Sequence, residues 1–236
     1  MSASAGATGA RFITFEGGEG TGKSTQVARL AERLRAEGFE VVTTREPGGS
    51  PHAEALRKTI LSGEAKALGP FAEALLFARA RQDHVAATIR PALARGAIVL
   101  CDRFSDSTRA YQGALGAVPT ALIEALERWA VGDTRPDLTL ILDLPVATAL
   151  LRAASRREGA AADRYEGEAH AFHETLRDAF QSIAAREPER CVLVDASGAV
   201  DAVAARVVAA VLPRLPAPRD AAASPTRAAE GLATHG

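Results

Sequence analysis

The stretch FEGGEGTGKST, residues 15–25, gives the clearest indication of how this chain folds. Within it, Gly17 to Ser24 match the pattern G-x-x-x-x-G-K-[ST]. An apolar run, FITF (12–15), precedes the glycines, and a helix-forming run begins at Lys23, which is the strand–loop–helix context that the pattern requires. Glycines let backbone N–H groups close around phosphate oxygens, and a helix N-terminus adds a favourable dipole. The stretch therefore predicts a loop that binds the phosphates of a nucleoside triphosphate.

The same pattern assigns chemistry to individual side chains of this loop. Lys23 is expected to reach the β- and γ-phosphates, and the Ser24 hydroxyl is expected to ligate Mg²⁺. Glu19 is unusual, because a carboxylate inside a phosphate loop should repel the ligand unless Mg²⁺ or a sugar hydroxyl lies nearby. The predicted binding site for the nucleoside triphosphate consists of Gly17, Gly18, Glu19, Gly20, Thr21, Gly22, Lys23, Ser24 and Thr25.

Strand-like and helical runs alternate along the rest of the chain. The apolar runs are continuous, which is typical of strands buried on both faces, and they lie at 12–15, 41–44, 97–101, 138–142 and 191–194. Helical runs lie roughly at 23–37, 52–61, 70–94, 119–131, 146–157, 168–186 and 199–212. This order predicts a P-loop NTPase-type three-layer α/β fold, with a five-stranded parallel sheet and helices on both faces. Ligands bind at the carboxyl ends of such strands, where this sequence places Glu16, Arg45, Glu46, Asp102, Arg103, Asp143 and Asp195.

Composition narrows the class of protein. The chain has 236 residues, 47% of them hydrophobic, which suits one domain over 11–213 with predicted disordered tails at 1–10 and 214–236. A formal net charge of −1 favours neither nucleic acid nor an acidic membrane as the main partner. No apolar run is long enough to span a bilayer, and the N-terminus lacks the features of a secretory signal, so we expect a cytoplasmic protein. Cys101 and Cys191 lie in strand-like runs and are interpreted as small buried hydrophobic residues.

Four further segments carry a family resemblance. Together they resemble thymidylate kinase, and the resemblance extends from about residue 11 to about residue 213; the segments are TREPGGSPHAEALR (44–57), LLFARARQDH (75–84), CDRFSDSTRAYQG (101–113) and DRYE (163–166). The resemblance implies ATP-dependent phosphorylation of dTMP to dTDP in dTTP biosynthesis, with Mg²⁺, by a homodimer that carries a mobile lid.

The resemblance also implies which residues bind the acceptor nucleotide. The loop around Glu46 and Pro47 borders the acceptor monophosphate, with a cis peptide before the proline. Arg57 is implied as a ligand of the dTMP phosphate, because a guanidinium can bind two oxygens. Phe77 is implied to stack on thymine and Arg81 to contact the base. The remaining implied substrate-binding residues are Arg103, Thr108, Tyr111, Gln112 and Glu166, and Tyr111 would crowd the ribose 2′ carbon and so favour deoxyribose.

A helical projection of 70–94 separates two faces. At 100° per residue, one stripe is expected to be core and contains Phe71, Leu75, Ala78, Val85 and Ile89. A second face contains Phe77, Arg81, His84 and Thr88, so that a ring and a guanidinium can meet one planar ligand. Phe77 could equally be ordinary core, and His84 is assigned no role.

The remaining catalytic charges are expected at two places. Asp102 follows the third strand, where an acid can organise Mg²⁺, and Arg103 can offer charge to the transferring group. The segment 152–166 looks like a lid that supplies arginine, because Arg152, Arg156, Arg157 and Arg164 surround a Gly-Ala-rich run. Arg156 or Arg157 is the predicted catalytic arginine, with Arg164 in support. A solvated basic loop is the alternative.

Two other functions were weighed. Another nucleoside monophosphate or deoxynucleoside kinase would fit the loop and the lid, but it would leave Phe77, Arg81 and the DRFSDSTRAYQG run unexplained. A GTPase-like switch would need an N-K-x-D base-reading motif, and the sequence contains none.

Overall fold

The protein is described here by a computed structural model that covers residues 11–157 and 168–216. Its strands are β1 (Phe12–Glu16), β2 (Val41–Arg45), β3 (Ile98–Asp102), β4 (Leu138–Asp143) and β5 (Cys191–Asp195). They form one parallel sheet in the order β2-β3-β1-β4-β5. The predicted fold class is confirmed, and each strand lies within about one residue of its predicted position.

Helices cover both faces of this sheet. In the described ranges they are α1 (Lys23–Ala36), α2 (Pro51–Leu61), α3 (Pro70–His84), α4 (Arg90–Ala94), α5 (Ser105–Thr108), α6 (Thr120–Val131), α7 (Val146–Arg157), α8 (His170–Arg186) and α9 (Val200–Val211). A π-helical turn at Val85–Ile89 joins α3 to α4, and a second one at Arg109–Leu115 extends α5; short 3₁₀ turns lie at Glu64–Leu68 and Leu212–Arg214. None of the helices in these ranges is long and apolar enough to cross a membrane.

The core is divided into two layers by the sheet. On one side, Ile13 and Phe15 pack with α1, with α9 and with Ala149 of α7. On the other side, Phe12 packs with α3, α4 and α6, while Ile141 packs with α8 and the helical segment 105–115. Burial on both faces explains why the strands read as continuous apolar runs.

The structure differs from the sequence-based expectations at two elements. The helical segment 105–115 was not among the predicted helices. Phe71 and Leu75 were predicted to be core, but they are 45% and 41% exposed. The reason is that α3 is buried instead through small alanines and through polar groups such as Arg81 and His84, so its larger apolar residues remain on the surface.

Candidate active site

The phosphate loop runs through a narrow space between β4 and α7. Gly17 has φ +123°, and a Cβ atom there would lie 2.5 Å from the carbonyl oxygen of Leu142. Gly20 has φ +72°, and its Cβ would lie 1.9 Å from the carbonyl oxygen of Ala149. A side chain at either position would clash with fixed backbone, so the loop can take this path only with glycine.

Lys23 is held against this loop. Its Nζ donates hydrogen bonds to the carbonyl oxygens of Gly17 (3.1 Å) and Gly18 (2.7 Å), and the residue is buried. Burial, with Arg103 as the next cause, lowers the pKa of Lys23 to about 8. The ammonium group is therefore poorly solvated, which favours its pairing with an anionic ligand.

Ser24 and Asp102 meet at the start of α1, where the Ser24 hydroxyl donates to the Asp102 carboxylate. These are the two residues predicted to hold Mg²⁺. Within the described ranges no group of three or more His, Cys, Asp or Glu side chains is arranged to hold a metal. A hydroxyl and one carboxylate nevertheless fit Mg²⁺, because this ion keeps several waters and takes its other ligands from substrate phosphates.

Arg103 connects the loop to the opposite wall of the cleft. Its backbone has φ +68°, and its Nη1 donates to the carbonyl oxygen of Gly17 at 3.0 Å. Its Nη2 donates to Glu19, and its guanidinium lies 5.4 Å from the centre of the Tyr111 ring. Burial alone would lower the pKa of Arg103, but Glu19, with Tyr111 and Asp102, raises it above the ordinary value. Arg103 therefore stays charged.

This arrangement changes the interpretation of Glu19. The sequence suggested that this carboxylate needs Mg²⁺ or a sugar hydroxyl nearby. In the structure the protein supplies its partners, because Glu19 accepts hydrogen bonds from Arg103 and from the Tyr111 hydroxyl, the latter at 3.1 Å. Glu19 orients these two side chains where the phosphate loop meets the opposite wall of the cleft. This wall is formed by the loop after β2, by α3 and by the helical segment 105–115, and because it carries the predicted dTMP-binding residues it is called the acceptor wall.

The acceptor wall is held by a buried polar network. Arg81 is 3% exposed and donates to Glu46 Oε2 (2.7 Å), to the Thr108 hydroxyl (3.0 Å) and to the Phe104 carbonyl oxygen (3.1 Å). His84 bonds through Nδ1 to Glu46 Oε1 at 2.9 Å. Both carboxylate oxygens of Glu46 are thus engaged by protein groups, so Glu46 holds Arg81 in place.

The loop after β2 is fixed from two sides. The Glu46–Pro47 peptide is cis, as the resemblance implied. Arg57 donates from Nη1 to the carbonyl oxygen of Pro47 at 2.6 Å. Arg57 therefore bridges α2 and this loop at the border of the cleft.

One cleft at the carboxyl ends of the strands contains most of the predicted residues. Its lining includes the predicted residues Glu19, Gly20, Gly22, Lys23, Ser24, Glu46, Pro47, Arg57, Phe77, Asp102, Arg103, Thr108, Tyr111 and Gln112. Arg45, which the sequence placed at the ligand edge of the sheet without a specific role, lines it as well. Leu61 and Ser107 also line it and were not predicted.

Several predicted residues lie elsewhere. Gly17, Gly18 and Thr21 line a smaller hollow on the other side of the loop, facing β4 and α8. Arg81 lies behind the lining, and Thr25 is exposed on α1. Residues 152–157 of the predicted lid belong to α7, where Arg152 donates to the carbonyl oxygens of Ala196 and Gly198 rather than toward the cleft. Arg164 and Glu166 lie outside the described residues, as do the side chains of Arg156 and Arg157.

Sequence reasoning assigned no specific role to two buried residues that organise the site. His84 is fully buried between Glu46 and Thr44, and its position on the same helical face as Phe77 and Arg81 was the available signal. Glu16 is fully buried at the end of β1. Its place at the ligand edge of the sheet was visible, but its partners come from a distant loop.

The family model, the curated relatives and the solved structure that resemble this chain all carry the same description. The family model described as "Thymidylate kinase" matches residues 15–207. A thymidylate kinase from Bradyrhizobium diazoefficiens is 60% identical over 205 residues, covering 87% of this chain and 90% of the relative. One from Nitrobacter winogradskyi is 60% identical over 201 residues, covering 85% and 87%. The crystal structure of thymidylate kinase from Ehrlichia chaffeensis superposes with a TM-score of 0.68 at 34% identity, covering 86% of this chain and 98% of that one.

Proposed function

Because the chain belongs to the thymidylate kinase family and phosphorylates dTMP to dTDP with ATP as donor, we propose how the residues of the cleft divide this reaction. The donor phosphates bind the loop 17–24, and the acceptor nucleotide lies between Phe77 and the helical segment 105–115. The observation that carries this assignment is one cleft lined both by Lys23 and Ser24 and by Phe77, Thr108 and Tyr111.

Charge on the transferring phosphoryl group is balanced mainly by two side chains. Lys23 leaves the loop carbonyls and binds the β- and γ-phosphate oxygens. Arg103 already donates a hydrogen bond to the Gly17 carbonyl oxygen in the loop, and its guanidinium binds the same phosphate oxygens. Ser24 and Asp102 would hold Mg²⁺, which would neutralise charge on the donor phosphates.

The acceptor is positioned by groups on the other wall. Arg57, with Arg45 beside it, binds the dTMP phosphate at the loop after β2. Phe77 stacks on thymine, and Thr108 and Gln112 contact the base and the sugar. Arg81 acts on the base through Thr108, which it holds in place from behind the lining. Tyr111 is buried and tied to Glu19, so its ring is rigid enough to exclude a ribose 2′ hydroxyl.

The lid supplies the remaining charge and excludes water. Arg156 or Arg157 reaches the transferring group, with Arg164 in support, and Glu166 contributes to substrate binding. Lid closure would protect ATP from hydrolysis.

The assembly is a homodimer formed through α3 and α6. These helices pack against each other and leave large apolar side chains exposed: Phe71 and Leu75 on α3, and Leu122 and Trp129 on α6. Such residues are expected at an interface. Trp129→Glu should convert dimer to monomer in light scattering, whereas Leu193→Glu, an exposed apolar residue on β5, should not. A monomeric wild type would contradict the proposal.

The enzyme works in the cytoplasm, a placement supported by two free, buried thiols at Cys101 and Cys191, which suit a reducing compartment.

Acceptor choice is tested by ADP release with dTMP, dUMP, UMP, CMP, AMP and thymidine. We expect the highest kcat/KM for dTMP, a clear loss for UMP because of Tyr111, and no turnover of thymidine, which lacks the phosphate that Arg57 binds. Equal use of UMP or CMP would contradict the proposed acceptor site.

A further inference from the structure

Glu16 occupies the last position of β1, directly before the phosphate loop, and is fully buried. Its Oε1 accepts hydrogen bonds from the backbone N–H groups of Phe104 (2.8 Å) and Ser107 (3.1 Å). Its Oε2 accepts one from the Ser107 hydroxyl at 2.6 Å. All three interactions require acceptor oxygens, and an ionised carboxylate supplies them best.

These donors fix the start of the helical segment 105–115. Phe104 is the N-cap residue of α5 and its side chain makes no capping hydrogen bond. The N–H groups at a helix start have no partner inside the helix. Glu16 therefore caps this helix from another element of the fold.

The same turn carries Arg103 in its left-handed conformation, with φ +68°. Arg103 donates to Gly17 on one side and to the Ser107 hydroxyl, at 3.2 Å, on the other. Glu16 thus holds the backbone immediately after Arg103 and shares Ser107 with it. Movement of this carboxylate would move the guanidinium relative to the phosphate loop.

We propose that Glu16 is a positioning residue for phosphoryl transfer, which in its ionised form holds Arg103 and the helical segment 105–115 in register with the phosphate loop. The inference rests on the proposed function of Arg103. Glu16 itself touches neither nucleotide, because it is fully buried behind the loop. Its effect is on kcat, through Arg103, rather than on ATP binding.

The surroundings of Glu16 make its charge state responsive. Burial and then the charge of Asp106 on α5 raise the pKa of Glu16 to about 7, while the Ser107 hydroxyl, Arg103 and the Phe104 amide act to lower it. Lys23 on α1 and the Cys101 thiol on β3 are the other titratable groups that it influences. Protonation of either oxygen would remove an acceptor from the cap.

The first test is a double-mutant cycle between Glu16 and Arg103. We expect Glu16→Gln to lower kcat at pH 8 by at least ~10-fold with little change in KM for ATP, because the amide nitrogen cannot accept these hydrogen bonds. If Glu16 acts through Arg103, the double variant Glu16→Gln/Arg103→Ala should lose no more kcat than Arg103→Ala alone. Fully additive losses would overturn the proposal.

The second test is the pH profile of kcat with Ser107→Ala. Loss of the hydroxyl removes an interaction that lowers the pKa of Glu16, so the acid limb of the profile should move to higher pH. Substrate phosphates also titrate, with a second pKa near ~6. A limb that stays in place in Ser107→Ala would belong to them and would contradict the proposal.

The matched control is Asp137→Asn. This carboxylate accepts the N–H groups of Arg11 and Phe12, both at 2.8 Å, at the opposite end of β1 from the cleft. The Asp137→Asn variant should have a lower melting temperature and an unchanged kcat and pH profile of kcat. Retention of kcat in Arg103→Ala would refute the proposed role of Arg103 itself. A fall in Arg103→Ala beside unchanged kcat in a folded Glu16→Gln would refute only the inference about Glu16.

Discussion

The phosphate loop and the acceptor wall are built in different ways, although they face each other across one cleft. The loop is eight consecutive residues, and its shape depends on glycines at positions such as Gly17 and Gly20. The acceptor wall is assembled from the loop after β2, from α3 and from the segment 105–115. It is held by buried side chains far apart in sequence, such as Glu46, Arg81 and His84.

This difference has a physical consequence for what a mutation does. In the loop we expect most contacts to the ligand to come from backbone N–H groups, with few side chains involved in the chemistry. In the wall, a side chain at the cleft depends on a second one that holds it, as Thr108, which lines the cleft, depends on the buried Arg81 behind it. Changes in the loop should therefore affect kcat sharply, and changes in the wall should affect affinity, geometry and stability together.

The largest expected effect is that of Lys23→Ala. We expect kcat to fall by at least ~10³-fold with the fold intact, because this side chain acts on phosphate charge. Lys23 is buried, but its partners are loop carbonyls rather than core groups. Steady-state kinetics and thermal melting would measure both effects.

Lys58→Ala is the control for Lys23, since Lys58 is an exposed lysine on α2. It should leave kcat unchanged. Near-normal turnover in Lys23→Ala would mean that the phosphate loop does not act as proposed. The contrast between the loop and the acceptor wall would then not hold.

The next effect tests whether the loop alone supplies enough charge. Positions Gly18, Glu19, Gly20 and Thr21 offer no cation to the transferring group, so the lid is expected to provide one. Changing Arg156 and Arg157 together to Ala should lower kcat by at least ~100-fold, while KM for dTMP barely moves. Arg186→Ala/Arg214→Ala, a pair of exposed arginines far from the lid segment in sequence, is the matched control.

An unchanged kcat in the Arg156/Arg157 variant would mean that Arg103 or Arg164 supplies the positive charge to the transferring group. Separate single variants at those two positions would then distinguish them.

The contrast between loop and wall also explains what the sequence could predict. The strands, the phosphate loop and the strand-end residues Asp102 and Arg103 follow from local patterns, because periodicity and glycine spacing are visible within a short window. The segment 105–115 was not predicted as a helix because Ser, Asp, Thr and Gly are weak helix formers. In addition, Glu16, which caps it, is separated from Phe104 by 88 residues in the sequence.

Burial of individual helix positions was equally hard to predict. Phe71 and Leu75 share the helical phase of buried Ala78 and Val85, yet no residue within 11–157 and 168–216 covers them fully. His84 looked unremarkable until Thr44 and Glu46 were placed on either side of it. In each case the missing information was the identity of a non-local neighbour.

A third prediction concerns the junction between the two regions, Glu16. Its pKa is raised from 4.5 to about 7 in the folded protein, so the folded state binds its proton more tightly than the unfolded state does. The stabilisation linked to this proton is complete below pH 4.5 and is lost as the pH rises through 7. At 1.36 kcal/mol per pKa unit, the loss amounts to roughly 3 kcal/mol.

The Glu16→Gln variant does not lose this stabilisation as the pH rises, because an amide does not titrate in this range. The free energy of unfolding of wild type relative to Glu16→Gln should therefore fall by up to roughly 3 kcal/mol between pH 5 and pH 8. Denaturant titrations at these two pH values measure the difference. A difference that is the same at both would mean that the buried carboxylate titrates normally.

The smallest expected effect is that of Phe77→Ala on the acceptor wall. Phe77 is half-buried and lines the cleft, so its ring is accessible for stacking on a base. Loss of base–aromatic stacking costs ~1–3 kcal/mol, which corresponds to a rise of about 5- to 150-fold in KM for dTMP. KM for ATP should stay nearly constant, because the donor binds the loop.

Phe71→Ala removes a ring from the same helix outside the cleft, and it should change neither KM. An unchanged KM for dTMP together with a lower melting temperature would mean that Phe77 is only core. The acceptor wall would then recognise its base through Thr108, which lines the cleft and accepts a hydrogen bond from Arg81 behind it.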